Sequence, residues 1–285
     1  MTARSSVGIG HTRVPLGTAF SMILALLYFP IALLFLFSFS RSSVLVFPLG
    51  ELTLDAYWEV FGDANLLEAA RNSAVVGVAS ATVATALGLA VSVAFARFRF
   101  RGRLPLLGLA VLPLIVPFIV LGVSLFLLLS FLDVPRSLLT IAAGHSIIAL
   151  PFATLILLAR MSGIDPALED AAMDLGATYG GTLRRVVLPL IGPSLLSAWL
   201  TCFIVSFDEV AIALFLAGRD LTFPVFLYGQ LRFAHRLPSL IANAIFCWGV
   251  VRHAISSDKH LQGCRAAASW TSWSSRSPAT GTGST

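Results

Sequence analysis

Five long windows of the chain carry no charge: 14–40, 72–96, 104–132, 137–159 and 186–207. Each exceeds the roughly 18 apolar residues that mark a candidate membrane-crossing helix. Backbone in hydrocarbon must satisfy its own hydrogen bonds, and uninterrupted apolar runs do so as helices, whereas a barrel would show short alternating strands. The pattern predicts helices over 17–39, 72–96, 105–131, 138–159, 190–216 and 238–251. The expected fold is an all-α polytopic membrane protein with six spans. Gly77, Ala79, Ser80, Ala81, Ala84, Ala86, Gly88 and Ala90 make the second helix slim enough to pack inside a bundle. Pro113 and Pro117 predict a bend in the third.

The sixth window is short. Only the 15 residues Leu237 to Val251 separate Arg236 from Arg252, and Pro238 occupies their start, so the last helix is expected to be truncated or altered. Beyond it, 252–285 holds 12 Ser or Thr among 34 residues together with the chain's sole lysine, Lys259, a composition expected of disorder. This ending reads as foreign, the product of a frameshift or a sequence junction. The expected organisation is a cytoplasmic N-terminal segment (1–16), a transmembrane domain (17–251) and an atypical tail (252–285). The first window is long and carries Leu33, Phe35 and Phe37, so it reads as a retained helix rather than a cleaved signal.

Composition agrees: 57% of the residues are hydrophobic and 12% charged, against about a quarter charged in soluble domains. With the N-terminus inside, the cytoplasmic loops hold nine arginines and four acids, and the outer loops six arginines and seven acids. That asymmetry follows the positive-inside tendency and agrees with a cytoplasmic N-terminus. Arg97, Arg99, Arg101 and Arg103 read as a topological anchor rather than a nucleic-acid site. Cys202, Cys247 and Cys264 lack any CxxC or Cys/His spacing, so no metal site or disulfide framework is expected.

The most informative loop is 162–189, between the fourth and fifth helices. Asp165-Pro166 reads as an N-cap with proline at the first helical position, and Glu169 and Asp170 sit near the positive end of the dipole. Ala167, Ala171 and Ala172 keep the helix slim, Gly176 ends it in a left-handed cap, and Gly180-Gly181 separates it from a second segment ending Val186-Val187-Leu188-Pro189. A small cytoplasmic helical hairpin is predicted.

Asp170-Ala171-Ala172, Gly176, Val186 and Leu188-Pro189 resemble the signature of permease subunits of bacterial binding-protein-dependent ABC importers. That signature is Glu-Ala-Ala, three residues, Gly, nine residues, Ile, one residue, Leu-Pro; every spacing fits, with Asp for Glu and Val for Ile. The likeness runs over about 15–245. It is nearest the polyamine branch, through Arg71-Asn72-Ser73, Leu112-Pro113, Val116-Pro117, Ser206-Phe207-Asp208-Glu209 and Thr222-Phe223-Pro224. The resemblance implies a six-helix bundle whose cytoplasmic coupling helix docks into a separate ATP-binding subunit through Glu169, Asp170, Ala171, Ala172, Gly176, Val186, Leu188 and Pro189. It further implies two ATPase subunits, a second, non-identical permease, and a periplasmic or lipoprotein substrate-binding protein. The implied cargo is a polyamine; ferric-iron and phosphonate permeases share the arrangement.

A phosphate loop requires Gly-Lys followed by Ser or Thr, and Lys259 is followed by His260. No cofactor is expected on this chain, ATP and magnesium belonging to the partner subunit. The chain is therefore not expected to be an enzyme. Asp208 and Glu209 stand about 30 Å beyond Leu188 on a continuous helix. Carboxylates at such depth face a cavity or a partner. They present two alternatives: contact with a cationic cargo along a pathway that includes Phe207, or pairing at a helix break with an arginine such as Arg219 or Arg232. His145 reads as hydrogen-bonded within the bundle, and Tyr57, Trp58 and Phe61 as interfacial anchors. A stand-alone secondary transporter or channel using Asp208, Glu209 and His145 as relays is the rival from another class.

Overall fold

A computed structural model describes residues 16–40, 52–231 and 241. Among the described residues the ordered elements are helical, apart from an isolated antiparallel bridge between Ser40 and Leu52. Helices α1 (Leu16–Phe37) and α2 (Asp55–Gly62) belong to one compact unit, and the elements within Asp63–Arg232 to another.

In the first unit α1 is a 22-residue apolar helix with Pro30 inside it. Its Phe20, Met22, Ile23 and Leu26 are exposed, as side chains in contact with lipid are. Beyond it the Ser38 hydroxyl donates to the Phe35 carbonyl at 2.6 Å and lies 2.8 Å from the Tyr57 hydroxyl. Tyr57 is thus tied to the end of α1, while Trp58 is 73% exposed. The Phe61 side chain lies outside the described residues.

The second unit opens with α3 (Ala64–Arg97), 34 residues long. It starts eight residues before its charge-free window because the Asp63 carboxylate caps it, accepting the amides of Asn65 at 3.0 Å and Leu66 at 3.3 Å. Next come α4 (Arg103–Val111), a 3-10 turn (Leu112–Leu114) and α5 (Phe118–Phe131). Here the expected single bent helix over 105–131 is corrected: the two halves meet at 102°. Pro113 and Pro117, four apart, remove the donors of two successive helical turns, so the chain breaks instead of curving.

Helix α6 (Leu138–Ser162) begins with a capping box in which Ser137 and Thr140 exchange side-chain and backbone bonds. After α7 (Ala167–Asp174) the chain re-enters as α8 (Tyr179–Thr182), a π turn (Leu183–Val187) and α9 (Leu188–Phe207), together one 29-residue helix. Short α10 (Ala211–Leu216) and α11 (Phe223–Gln230) follow. The fifth expected helix therefore stops at Phe207 instead of running to 216.

Helices α3, α6 and α9 enclose a core of small residues, Ala81, Ala84, Ala149, Ala153 and Cys202, flanked by Phe152, Trp199 and Phe203. At Gly88 a Cβ would stand 2.7 Å from that of Ala153 and 3.0 Å from the Thr154 nitrogen. This approach is the close helix packing that small residues permit in lipid. A second core joins Val76, Ile141, Ile148, Ile212 and Leu216.

Among the described residues, four helices are long and apolar enough to cross a membrane, five when the broken pair counts as one. The expected last helix over 238–251 lies outside the described residues except Ile241, as do 1–15, the tail 252–285 and Arg232.

Candidate functional site: a cytoplasmic hairpin and a broken membrane helix

The hairpin is built as its residues dictate. The Asp165 carboxylate accepts the Ala167 amide at 3.0 Å, and α7 runs for two turns to Asp174. Gly176 then adopts φ +88°. Its amide donates to the Met173 carbonyl at 2.9 Å and that of Ala177 to the Ala172 carbonyl at 3.1 Å. These two bonds define a Schellman cap, whose left-handed residue is glycine because a Cβ would collide with its own backbone.

Gly180-Gly181 does not separate two segments as expected. Thr178 caps this end, its hydroxyl accepting the Gly181 amide at 3.2 Å. The glycines form the first turn of the helix that continues into α9, so the second limb of the hairpin is the membrane helix itself. Pro189 supplies no amide, and the π turn before it, with Leu188 donating to Leu183, rearranges the bonding there. Val187 is buried with Met161, Ile164 and Ile191, and Leu188 packs against that group. Val186, the signature position, is half-buried and Pro189 exposed.

The acidic doublet is divided. Asp170 is exposed, together with Ala171, Asp174 and Gly176, while Ala172 is half-buried. Leu175, at the tip, is 90% exposed, and Leu168 and Met173 are exposed beside it. Glu169 by contrast is buried: Arg97 Nε donates to its Oε1 at 2.6 Å, and Nη2 stands 2.6 Å from the same oxygen. Glu169, expected from the sequence to face a partner together with Asp170, points inward to Arg97 here, since successive helical residues point about 100° apart. Arg97, read from the sequence as one of four equivalent anchors, has a specific place that spacing alone did not reveal.

At the other end of α9 lies a buried polar chain. Ser80 on α3 donates to the Ser206 hydroxyl at 2.7 Å, and His145 Nδ1 on α6 lies 2.8 Å from the same oxygen. His145 Nε2 is 3.6 Å from Glu209 Oε2. Glu209 is buried and accepts three amides, of Ala211 at 2.9 Å, Ile212 at 2.8 Å and Ala213 at 3.4 Å. It therefore caps α10. The helix break expected as one alternative exists, and among the described residues Glu209 meets backbone amides and His145 there, Arg232 lying outside them.

Asp208 is exposed and Phe207 half-buried. Phe207 belongs to an aromatic row, with ring centroids 5.6 Å apart for Trp199–Phe203, 5.7 Å for Phe203–Phe207 and 6.1 Å for Phe207–Phe223. Trp199, Phe203 and Phe207 line up through their i, i+4 spacing on α9, and Phe223 joins them from α11. Ser80, Ser206 and His145 went unassembled at the sequence level. Their signal was the presence of lone polar residues inside charge-free windows. Among the described residues no group of three or more His, Cys, Asp or Glu is placed to hold a metal ion.

Residues 84–249 match the family described as binding-protein-dependent transport system inner membrane component. The spermidine/putrescine transport system permease protein PotC of Haemophilus influenzae is 32% identical over 197 residues, 69% of this chain and 76% of its own. The putrescine transport system permease protein PotI of Escherichia coli K12 is 31% identical over 238 residues, 79% of this chain and 84% of its own. In fold, the chain is similar to a crystal structure of a bacterial ABC transporter involved in import of the acidic polysaccharide alginate. That likeness has a TM-score of 0.68 at 17% identity and covers 90% of this chain and 100% of the other. The matched span contains the whole hairpin and the broken helix, and the chain thus belongs to the permease family of binding-protein-dependent ABC importers, as a multi-pass inner-membrane protein.

Proposed function

We propose that this chain moves a polyamine across the inner membrane and is driven by separate ATP-binding subunits that grip the hairpin from Asp165 to Tyr179. The exposed tip carries the reading. Leu168, Met173 and Leu175 are large apolar side chains on a surface that also bears Asp170 and Asp174, a mixture suited to a cleft with an apolar floor and basic rim. Ala171, Ala172 and Gly176 permit close approach, and Val186, Leu188 and Pro189 fix the second limb where it joins α9. ATP and magnesium reside on those partners, two in number, and a second, non-identical permease completes the pathway. An external binding protein delivers the solute. The N-terminus is cytoplasmic in this arrangement.

Polyamine cargo is supported by the names of the two relatives and by the chemistry of the broken helix. Asp208 supplies the exposed carboxylate for an ammonium group, and Phe207 the adjoining aromatic face. Glu209 supports the break from behind.

The test is co-expression of the tagged chain with ATPase and permease subunits encoded beside it, followed by detergent purification. The native chain is expected to retain the ATPase, and a version with 165–179 replaced by a glycine-serine linker to lose it. Replacing Asp170 and Gly176 together should abolish spermidine uptake with membrane insertion intact; full uptake by that double variant would remove the coupling assignment. For cargo, Asp208→Asn should lower spermidine uptake by about tenfold, the loss of one ion pair of roughly 1.4 kcal/mol.

A further inference from the structure

The hairpin is joined covalently to α6 through 163–166 and to the α8–α9 helix through 175–178, but to α3 by no neighbouring residue. Helix α3 nevertheless meets it at one buried point. Arg97, the last residue of α3, donates through Nε to Glu169 at 2.6 Å, holds Nη2 2.6 Å from the same oxygen, and donates through Nη1 to the Met161 carbonyl of α6 at 3.4 Å. The two side chains are only 11% and 7% exposed. One guanidinium therefore fastens the ends of α3 and α6 to α7. The next residue of α3's exit, Phe98, places its ring 5.7 Å from that of Tyr179 at the other foot of the hairpin.

We propose that the Arg97–Glu169 pair is the tether through which displacement of the hairpin is transmitted to α3. Asp170 and the apolar tip receive the push, and Glu169, one residue away and facing inward, passes it on. Arg97 and Glu169 are positioning residues and touch no solute. A buried fork of this kind resists sliding, because moving either partner leaves an uncompensated charge out of water. Without it, the hairpin's remaining links to the bundle are its two connecting loops, the Phe98–Tyr179 ring contact and the packing around Val187 and Met161, all of them apolar or covalent and none a buried ion pair. The inference rests on the reading that the hairpin docks an ATPase, and the test separates the two.

Complexes carrying Glu169→Gln, Arg97→Gln or the exchanged pair Arg97→Glu with Glu169→Arg are purified and reconstituted. For each, ATPase capture, solute uptake per assembled complex and ATP hydrolysed per solute moved are measured. Each single variant is expected to keep the ATPase bound, to lose at least tenfold in uptake per complex, and to hydrolyse correspondingly more ATP per solute. The exchanged pair is expected to recover part of the uptake. If the native chain captures no ATPase, the docking reading fails. If capture holds and uptake per complex is unchanged in Glu169→Gln, the tether is overturned, and a loss confined to complex yield assigns the pair to folding alone. Should the single variants fail to assemble, the exchanged pair decides: an assembled exchange complex without transport overturns the proposal, and one with transport sustains it.

Discussion

At Gly88 the backbones of α3 and α6 approach so closely that a single methyl group has nowhere to go. A Cβ there would lie 2.7 Å from the Ala153 Cβ and 3.0 Å from a backbone nitrogen, and neither neighbour is the free end of a long side chain. Gly88→Ala is expected to destabilise the bundle by roughly 1–3 kcal/mol, as overpacking does. Gly192→Ala, with nothing within 4 Å, should be tolerated. Thermal unfolding of the two variants in detergent checks this; equal transitions would contradict the close packing. The sequence offered the slim face of α3 but not which glycine touches a neighbour, because that depends on the crossing point of two helices far apart in the chain. The arginine cluster behaves likewise. Arg97 is paired with Glu169, and Arg103 Nη2 donates to the Phe95 carbonyl at 2.7 Å while its guanidinium lies 5.9 Å from the Phe95 ring. Their common spacing concealed two different tasks.

Among the elements, the hairpin was legible and the break after α9 was only partly so. Local chemistry sets the hairpin: Asp165 caps α7, Gly176 reverses it, and both signals act over five residues or fewer. The break depends on partners brought from α3 and α6. Glu209 can end one helix and begin another because Ser206, His145 and Ser80 occupy the space beside it, an arrangement no single window contains. This gives α10 a measurable dependence on one carboxylate. Glu209→Ala removes the acceptor for the amides of Ala211, Ile212 and Ala213. Buried amides left unpaired cost about 1–3 kcal/mol each, more than a six-residue helix gains by its own bonding. Hydrogen exchange at those three amides should therefore quicken at least tenfold in Glu209→Ala and much less in Glu209→Gln, whose carbonyl oxygen still accepts. Unchanged protection in the alanine variant would show that packing alone holds α10.

For the whole molecule, the direction of threading decides whether any of this can work, since a hairpin outside the cell would meet no ATP-binding subunit. The arginine balance predicts 97–103 and 162–189 on one side and the turn after α5 on the other. Arg97 and Arg103 have partners within the fold, whereas Arg99 and Arg101 have none among the described residues, so these two are the pair that tests charge alone at that turn. The threading is read by single cysteines, after Cys202, Cys247 and Cys264 are replaced by serine. Phe100→Cys sits between the arginines and Leu132→Cys at the end of α5, and both native side chains are exposed. An impermeant maleimide added to intact spheroplasts is expected to label position 132 and spare position 100, and inverted vesicles should reverse the pattern. Labelling of position 100 from outside would invert the chain and remove the hairpin from reach of ATP. Adding Arg99→Ser and Arg101→Ser should weaken the preference without abolishing it, because Arg160, Arg184 and Arg185 remain on the same side.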